Sequence, residues 1–200
     1  MNQIEDMKVR RPDKFKHQIM GGWLQKAEGV IFSDWQVGQF NGDIDLIAWG
    51  LDWGFSRDAS ALVKVAIDKD RKIIWLKEYL YKKGLVTSNL YDACVRHAGK
   101  ELIVCDNSEP RLIAELSTRG LNLSPTIKKK GSILSGIALM QDYEIIVDRN
   151  SHGIVRELNN YAWQEKNAKP NVGYEHYLDA IRYGLTYLVQ NKNSGRYIIR

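Results

Sequence analysis

Three aspartates stand at positions where proteins commonly place reactive carboxylates. Asp52 follows an apolar run over residues 44–51, and Asp106 follows a second, short apolar run over residues 102–105. Asp179 lies near the start of the last segment with a helical apolar period. Strand ends and helix starts fix the backbone while the side chain still reaches solvent and substrate. The three positions therefore predict a carboxylate cluster, with a simple turn aspartate as the alternative at Asp52.

Three carboxylates that converge repel one another strongly unless cations lie between them. Mg²⁺ and Mn²⁺ are hard divalent ions that prefer oxygen ligands and keep open positions for water and phosphate. Two such ions, about 3.5–4 Å apart, activate an attacking water and stabilise the leaving oxygen of a phosphodiester. The acids therefore predict metal-dependent phosphodiester cleavage, with two Mg²⁺ or Mn²⁺ ions as cofactors.

The segments that carry these acids predict an α/β fold. Strands over residues 44–51, 61–67 and 72–80 favour an antiparallel meander, and the apolar strand 102–105 is typical of a covered, central strand. If the first and central strands are neighbours, Asp52 and Asp106 converge, and the last helix can bring Asp179 to them. The remaining expected elements are helices over 87–98, 111–119, 132–141, 152–159 and 174–189, and strands over 121–127, 144–147 and 160–164.

The ends of the chain differ from this middle part. Residues 1–43 are charged at first and then carry scattered aromatic side chains between glycines, which predicts a short helix over 13–20 and irregular chain beyond it. We expect three parts: a lead-in or linker segment (1–43), one domain (44–190) and a basic, flexible tail (191–200).

The composition narrows the class of protein. The net charge of +5 suits a polyanionic partner, although many proteins without one are equally basic. Cys94 and Cys105 have neither metal-ligand spacing nor a disulfide framework, which predicts a reducing, intracellular setting. The sequence contains no run of about eighteen apolar residues and no apolar signal region, so we expect a soluble chain without a membrane span.

An ordered set of motifs resembles the C-terminal nuclease domain of tailed-phage large terminases. The order of the set over roughly residues 44–189, rather than any single motif, makes the resemblance specific. It implies a ribonuclease H-like fold, with a mixed central sheet of three antiparallel strands plus parallel strands, flanked by helices. The motifs are Gly50-Leu-Asp-Trp-Gly-Phe55 with Asp58, Val104-Cys-Asp-Asn-Ser-Glu-Pro110, Lys128-Lys-Lys-Gly-Ser132, Tyr143-Glu-Ile-Ile-Val147 and His176-Tyr-Leu-Asp-Ala-Ile-Arg-Tyr183.

The same resemblance implies an endonuclease that cuts double-stranded viral DNA concatemers during genome packaging. It implies the terminase ATPase domain, the small terminase subunit and the portal as partners, and the host cytoplasm as the location. Residues 1–43 resemble the segment that joins such a nuclease to its ATPase. The chain has no Gly-x-x-x-x-Gly-Lys-Ser/Thr phosphate loop, so we expect no ATPase activity from it. We expect low sequence specificity, because no segment resembles a base-reading helix.

The resemblance also assigns roles to acidic residues and one histidine. It makes Asp52, Asp106 and Asp179 catalytic metal ligands, and it makes Asp58 a further metal or outer-shell ligand. His176 stands three residues before Asp179 on the same helical face, which favours a catalytic role. The alternatives are a turn acid at Asp58 and a solvated histidine.

Basic residues near these motifs are the predicted DNA contacts. Lys128, Lys129 and Lys130 precede a glycine, which allows a phosphate to approach the backbone closely. Arg57 and Arg182 are weaker candidates for the same role. The alternatives are a solvated loop for the lysines, and an ion pair with the aspartate three residues earlier for Arg182.

Two other functions fit the sequence. A transposase, integrase or junction resolvase of the same fold would prefer particular ends or branched DNA. A non-catalytic module that clamps DNA or docks on the portal would bind DNA in EDTA, with a steep salt dependence and no cleavage.

Overall fold

The computed structural model describes residues 28–44, 46–54, 58–164 and 169–191. The strands found there are β1 (Gln36–Gly38), β2 (Ile47–Asp52), β3 (Ala59–Asp68), β4 (Ile73–Lys83), β5 (Ile103–Cys105), β6 (Leu123–Pro125) and β7 (Glu144–Asp148). The helices are α1 (Thr87–His97), α2 (Pro110–Thr118), α3 (Ser132–Gln141), α4 (His152–Asn160) and α5 (His176–Gln190). The strands form one sheet in the order β1-β7-β4-β3-β2-β5-β6.

The sheet is mixed, as expected. β2, β3 and β4 form the predicted antiparallel meander, and the other pairings in the described sheet are parallel. Leu51 of β2 pairs with Cys105 of β5, so the residues that follow, Asp52 and Asp106, leave neighbouring strands at the same edge of the sheet. The Trp53 indole N–H donates to the backbone carbonyl of Asp106 at 2.7 Å and fixes this edge further.

Each face of the sheet carries an apolar core, because successive strand side chains point to opposite faces. In β2, Ala48 belongs to the core formed with α3, α4 and α5, whereas Trp49 and Leu51 belong to the core formed with α1 and α2. Asp52, at an even position like Ala48, therefore faces α5. Among the described residues, no helix is long and apolar enough to cross a membrane.

The contact between α5 and β2 is unusually close at Gly50. A Cβ atom added to Gly50 would lie 1.8 Å from the carbonyl oxygen of Ala180, well inside contact distance. Gly184, one turn later, faces the same strand, and its added Cβ would lie 3.7 Å from the Gly50 nitrogen. The helix backbone therefore rests directly on the strand backbone. This approach places the first turn of α5 beside Asp52.

Most predicted elements are confirmed, with boundaries shifted by a few residues. The predicted helix over 132–141 matches α3 at both ends. The first strand, predicted over 44–51, runs instead from Ile47 to Asp52, and β3 and β4 are longer than expected. The predicted helix over 13–20 and residues 192–200 of the predicted tail lie outside the described residues.

Two expectations are wrong. Residues 160–164 do not form a strand, because α4 continues to Asn160 and only isolated bridges follow, Val30 with Ala162 and Trp163 with Pro170. The lead-in is not irregular throughout, since Gln36–Gly38 pairs with β7 as the edge strand β1. The lead-in residues Ile31 and Phe32 are also buried in the core formed with α3, α4 and α5.

Gly50→Ala tests the close contact between α5 and β2. The added methyl group would force the helix from the strand, and we expect a loss of about 3 kcal/mol of unfolding free energy, the upper end for an overpacked core. For a chain of this size that loss corresponds to roughly 6–12 °C in Tm, measured by thermal denaturation. Gly42→Ala is the matched control, because nothing lies within 4 Å of a Cβ there. Equal Tm values for the two variants would contradict the proposed contact.

Candidate active site

Asp52 is buried and is held by two side chains of α5. It ends β2, is 8% exposed, and its Oδ2 atom lies 3.1 Å from Nδ1 of His176 in the first turn of α5. The Tyr183 hydroxyl donates a long hydrogen bond of 3.5 Å to the other oxygen, Oδ1. Both carboxylate oxygens of Asp52 are thus held by side chains of α5.

Asp106 follows β5 and has a different set of partners. Its Oδ1 atom lies 2.5 Å from the Lys128 ammonium, and the Ser108 hydroxyl donates to Oδ2 at 2.9 Å. Burial raises the pKa of this carboxyl, but the hydrogen bonds from Lys128 and Ser108 outweigh burial and bring the pKa below its ordinary value. Asp106 is therefore held in its charged form.

Asp179 pairs with Arg182 one turn along α5, with 2.6 Å between Oδ1 and Nη2. Arg182 is 7% exposed, and its Nη1 atom also lies 3.4 Å from the backbone carbonyl oxygen of Ser132. Its stem crosses α3 at Gly136, where an added Cβ would lie 2.3 Å from Arg182 Cδ. This burial argues against the predicted contact of Arg182 with DNA. The arginine instead links Asp179 of α5 to helix α3.

Asp106 and Asp179 both lie near enough to Asp52 to influence its pKa. Burial, with added repulsion from Asp179 and Asp106, raises the pKa of Asp52 to about 6, although the His176 hydrogen bond opposes the rise. The same hydrogen bond is the largest influence on His176 and raises the pKa of the imidazole. Two groups with raised pKa values share this contact, so the pair retains a proton more readily than either group would alone.

The structure brings together most of the predicted catalytic set. Asp52, Asp106, Asp179 and His176 surround one edge of the sheet, and Lys128 reaches the same place. Asp58 is exposed at the turn before β3. Among the described residues, no three His, Cys, Asp or Glu side chains are arranged so that they could hold one metal ion. Each acid is instead turned toward a basic side chain of the chain itself.

The donors nevertheless fit a hard divalent cation. Asp106 and Asp179 both lie within electrostatic reach of Asp52, two of the three acids are buried at adjacent strand ends, and oxygen ligands of this kind suit Mg²⁺ and Mn²⁺. Burial is the largest cause of the raised pKa of Asp52, and repulsion from Asp179 and Asp106 adds to it. A bound metal would relieve that repulsion, provided that the carboxylates exchanged their present partners for the ion.

The sequence of this chain matches a known protein family. Residues 52–186 match the family described as the Terminase RNAseH like domain. The chain belongs to this family. The predicted relationship to the nuclease domains of large terminases, which take part in bacteriophage DNA packaging, is thus confirmed, and so is the ribonuclease H-like fold.

Solved structures of other terminases share the fold. The nuclease domain of g2p, the large terminase of bacteriophage SPP1, was crystallised with bound Mn; it is 26% identical, with a TM-score of 0.70, and the match covers 79% of this chain and 98% of that one. The nuclease domain of the P22 large terminase is 19% identical, with a TM-score of 0.65 and coverage of 82% and 93%. The large terminase of the thermophilic bacteriophage D6E is 22% identical, with a TM-score of 0.64 and coverage of 84% and 46%. No curated protein sequence matches the chain.

A buried glutamate supports the active site of this terminase nuclease, and the sequence analysis did not find it. Glu157 of α4 is fully buried, and its Oε2 atom accepts the backbone N–H of Leu178 at 3.1 Å, together with that of Tyr177. These N–H groups belong to the first turn of α5. The N-cap residue of this helix makes no side-chain hydrogen bond to that turn. Glu157 thus anchors the turn that carries His176 and Asp179.

The second oxygen of Glu157, Oε1, has no hydrogen-bond partner among the described residues. Burial raises the pKa of the carboxyl to about 8, while the backbone hydrogen bonds lower it. At neutral pH Glu157 is therefore mainly protonated. A sequence signal was hard to find, because a glutamate in the middle of a short helix normally lies on a solvated face.

Glu78 of β4 accepts backbone N–H groups of a helix start in the same way as Glu157. Its Oε2 atom accepts the backbone N–H of Ile154 at 3.0 Å, and Gly153 donates to the same carboxylate. Both N–H groups lie in the first turn of α4, so Glu78 anchors α4 on the sheet in the way that Glu157 anchors α5 on α4. The position of the acids on α5 thus depends on two capping glutamates in series.

The predicted DNA-contacting lysines lie beside the acids. Lys128, Lys129 and Lys130 are all exposed, in irregular chain between β6 and α3, and Gly131 follows them with a left-handed φ of 83°. Next to them a groove of about 580 Å³ has both Lys129 and Asp179 in its wall. Arg57 lies outside the described residues. The lysine loop therefore gives a basic approach to Asp179, which lies in the wall of the groove.

Glu157→Gln tests the buried carboxyl through the pH dependence of stability. The folded-state pKa of about 8 lies above the ordinary value of 4.5, so the folded wild type binds more protons than the unfolded chain between these pH values. Its unfolding free energy therefore falls as pH rises, by at most about 1.4 kcal/mol per pH unit, or roughly 3–5 °C in Tm. Glutamine keeps an oxygen acceptor but does not titrate, so the Tm of the variant relative to the wild type should rise between pH 5 and pH 8.

Thermal melts across that pH range check this prediction. The control is Glu115→Gln, because Glu115 is an exposed residue of α2 whose partner is Arg119. Parallel pH profiles for the wild type and Glu157→Gln would show that Glu157 is not a buried, protonated carboxyl.

Proposed function

We propose that this terminase nuclease is a Mg²⁺- or Mn²⁺-dependent endonuclease that cuts double-stranded viral DNA concatemers during packaging, by two-ion hydrolysis with low sequence specificity. The observation that carries the proposal is the placement of three carboxylates at one edge of the sheet, with Asp52 and Asp106 at neighbouring strand ends and Asp179 in the first turn of the helix that contacts Asp52 through His176. A site of three carboxylates that must bind a polyanion needs additional cations. The manganese bound to the related SPP1 nuclease domain supports this assignment.

Each residue then has a defined task. Asp52, Asp106 and Asp179 would hold the metal, which supplies Lewis acidity and an activated water when bound. His176, in contact with Asp52, is suited to exchange a proton beside the reacting phosphate. The placement of Asp58, exposed at the turn before β3, suits an outer-shell role at most.

The lysine loop is proposed to bind the DNA backbone. Lys129 and Lys130 are exposed beside the groove that leads to Asp179, and such contacts to phosphate position a duplex without reading its sequence. This arrangement supports cleavage with low sequence specificity. Membership of the terminase family favours this function over a transposase, integrase or resolvase.

The proposed setting follows from the family. Double-stranded DNA is the proposed substrate, and the terminase ATPase domain, the small subunit and the portal are the proposed partners in the host cytoplasm. Residues 1–43 are proposed to lead from the ATPase into the nuclease, residues 44–190 to form the nuclease domain and residues 191–200 a flexible tail. We expect translocation of DNA to require the ATPase, because this chain has no phosphate loop of its own.

Asp52→Asn tests the metal-nuclease assignment. Wild type is expected to nick supercoiled plasmid with Mn²⁺ or Mg²⁺ and not with EDTA. The variant should be slower by on the order of 100-fold or more, since even outer-shell changes at metal sites cost 10- to 100-fold. Gel analysis of plasmid conversion over time gives the rates.

The matched control is Asp92→Asn, an exposed aspartate of α1 on the opposite face of the sheet. It should retain wild-type nicking. Plasmid that stays intact with the wild type in both metals, or equal nicking by Asp52→Asn, would disprove the assignment. DNA binding in EDTA without any cleavage would favour the clamping module, and a strong preference for branched substrates would favour a resolvase.

A further inference from the structure

Each of the three clustered acids contacts a basic side chain of the chain itself, and the three basic side chains differ in how firmly they are held. Arg182 is nearly enclosed, with 8% of its side chain exposed, and its stem packs against Gly136 of α3. His176 is 16% exposed and its ring packs edge-on against Tyr81. Lys128 is 43% exposed and belongs to neither a helix nor a strand. Lys128 is therefore the cation that can leave with the least rearrangement.

The Lys128 ammonium lies where a metal bound by the strand-end acids would repel it. Its Nζ atom is 2.5 Å from Asp106 Oδ1 and 5.7 Å from the centroid of the Tyr183 ring. The hydroxyl of that same tyrosine reaches Asp52. A single positive charge thus lies on the side of Asp106 that faces Tyr183 and Asp52, and it cannot share the carboxylate with a divalent ion without strong repulsion.

We propose that Lys128 is an exchangeable internal cation, which neutralises Asp106 in the metal-free protein and is released by the divalent ion to contact a DNA phosphate. This inference rests on the metal-dependent function proposed above and adds a coupling to it. Metal binding would free a phosphate-binding lysine, so metal and DNA would each strengthen the binding of the other by the same factor.

The physical basis is a competition for one carboxylate. In the absence of metal, Lys128 and Ser108 both contact Asp106, which is 7% exposed. An ammonium on a flexible four-carbon stem gives up a contact of this kind more readily than a planar, forked guanidinium does. Once the ion occupies the carboxylate, the lysine stem is free to turn toward solvent, where Lys129 and Lys130 already lie.

Lys129 provides a matched control. It follows Lys128 in the same loop and is exposed, and within the described part of the chain no ion pair joins it to the three acids. If it contacts DNA, its contribution should not depend on metal. The two lysines therefore separate an exchangeable cation from an ordinary phosphate contact.

The first experiment measures Mn²⁺ binding by calorimetry for the wild type, Lys128→Ala and Lys129→Ala, without DNA. Removal of the competing ammonium should tighten Mn²⁺ binding by Lys128→Ala about 10-fold, the size of one charge-assisted hydrogen bond. Lys129→Ala should bind Mn²⁺ as the wild type does. In EDTA, Lys128→Ala should also melt lower than the wild type, because Asp106 loses its partner, and saturating Mn²⁺ should remove that difference.

The second experiment measures the affinity for a short DNA duplex by fluorescence anisotropy, in EDTA and in Ca²⁺. Lys128→Ala should match the wild type in EDTA but bind several-fold more weakly in Ca²⁺, with a salt slope reduced by about 0.9 for one lost phosphate contact. Lys129→Ala should lose the same factor under both conditions.

The outcomes separate this inference from the function on which it rests. No Mn²⁺ binding by the wild type would overturn both. Mn²⁺ binding by the wild type with an unchanged or lower affinity in Lys128→Ala would overturn only the exchange. An equal loss of DNA affinity in EDTA and Ca²⁺ would show that Lys128 is an ordinary phosphate contact.

Discussion

The candidate active site depends on one steric condition, the direct contact of helix α5 with strand β2 at Gly50. Only a residue without a side chain allows the Ala180 carbonyl to come so near, since an added Cβ would lie 1.8 Å from its oxygen. Asp52 follows two residues later on the same face of the strand, and Asp179 precedes Ala180 in the helix. The backbone contact therefore sets the distance between two predicted metal ligands that are far apart in the sequence. A small shift of α5 away from the sheet would separate the two carboxylates, even with both aspartates retained.

Charge imposes the second condition. Carboxylates that lie so close to one another repel each other unless counter-ions are present. The described structure supplies one basic partner for each acid. The pairs hold the carboxylates near one another, and they occupy the oxygens that the proposed metal would need. Two buried glutamates, Glu78 and Glu157, complete the support by capping the first turns of α4 and α5. The site is thus preorganised in its backbone but not in its final ligand contacts.

The parts of this arrangement that follow local rules were predictable. Apolar runs located β2 and β5, and an aspartate after each run predicted that the two would converge at one edge if the strands were neighbours, a condition that the pairing of β2 with β5 meets. Long-range packing decided what was missed. β1 is three residues long and draws its stability from its pairing with β7, so its own residues show no strand period. Arg182 had the spacing of a surface ion pair, and only the packing of α5 on α3 shows that it is buried. In the segment 160–164, Tyr161 is buried and stacks on Phe32 of the lead-in, although the segment forms no strand.

The choice of basic residue at each acid agrees with this division between fixed support and exchangeable contact. Arg182 has a planar, always charged group with several donors, and it uses them to join Asp179 to the Ser132 carbonyl across two helices. Such a group holds a carboxylate in one orientation. Lys128 places a compact charge on a flexible stem in an exposed loop and makes one close contact. An arginine at residue 128 would bind Asp106 through two parallel hydrogen bonds and compete more strongly with an incoming metal, whereas a lysine at residue 182 would lack the planar fork that joins Asp179 to the Ser132 carbonyl. In the proposed exchange the two positions need different cations, because one maintains the geometry of the site and the other leaves it.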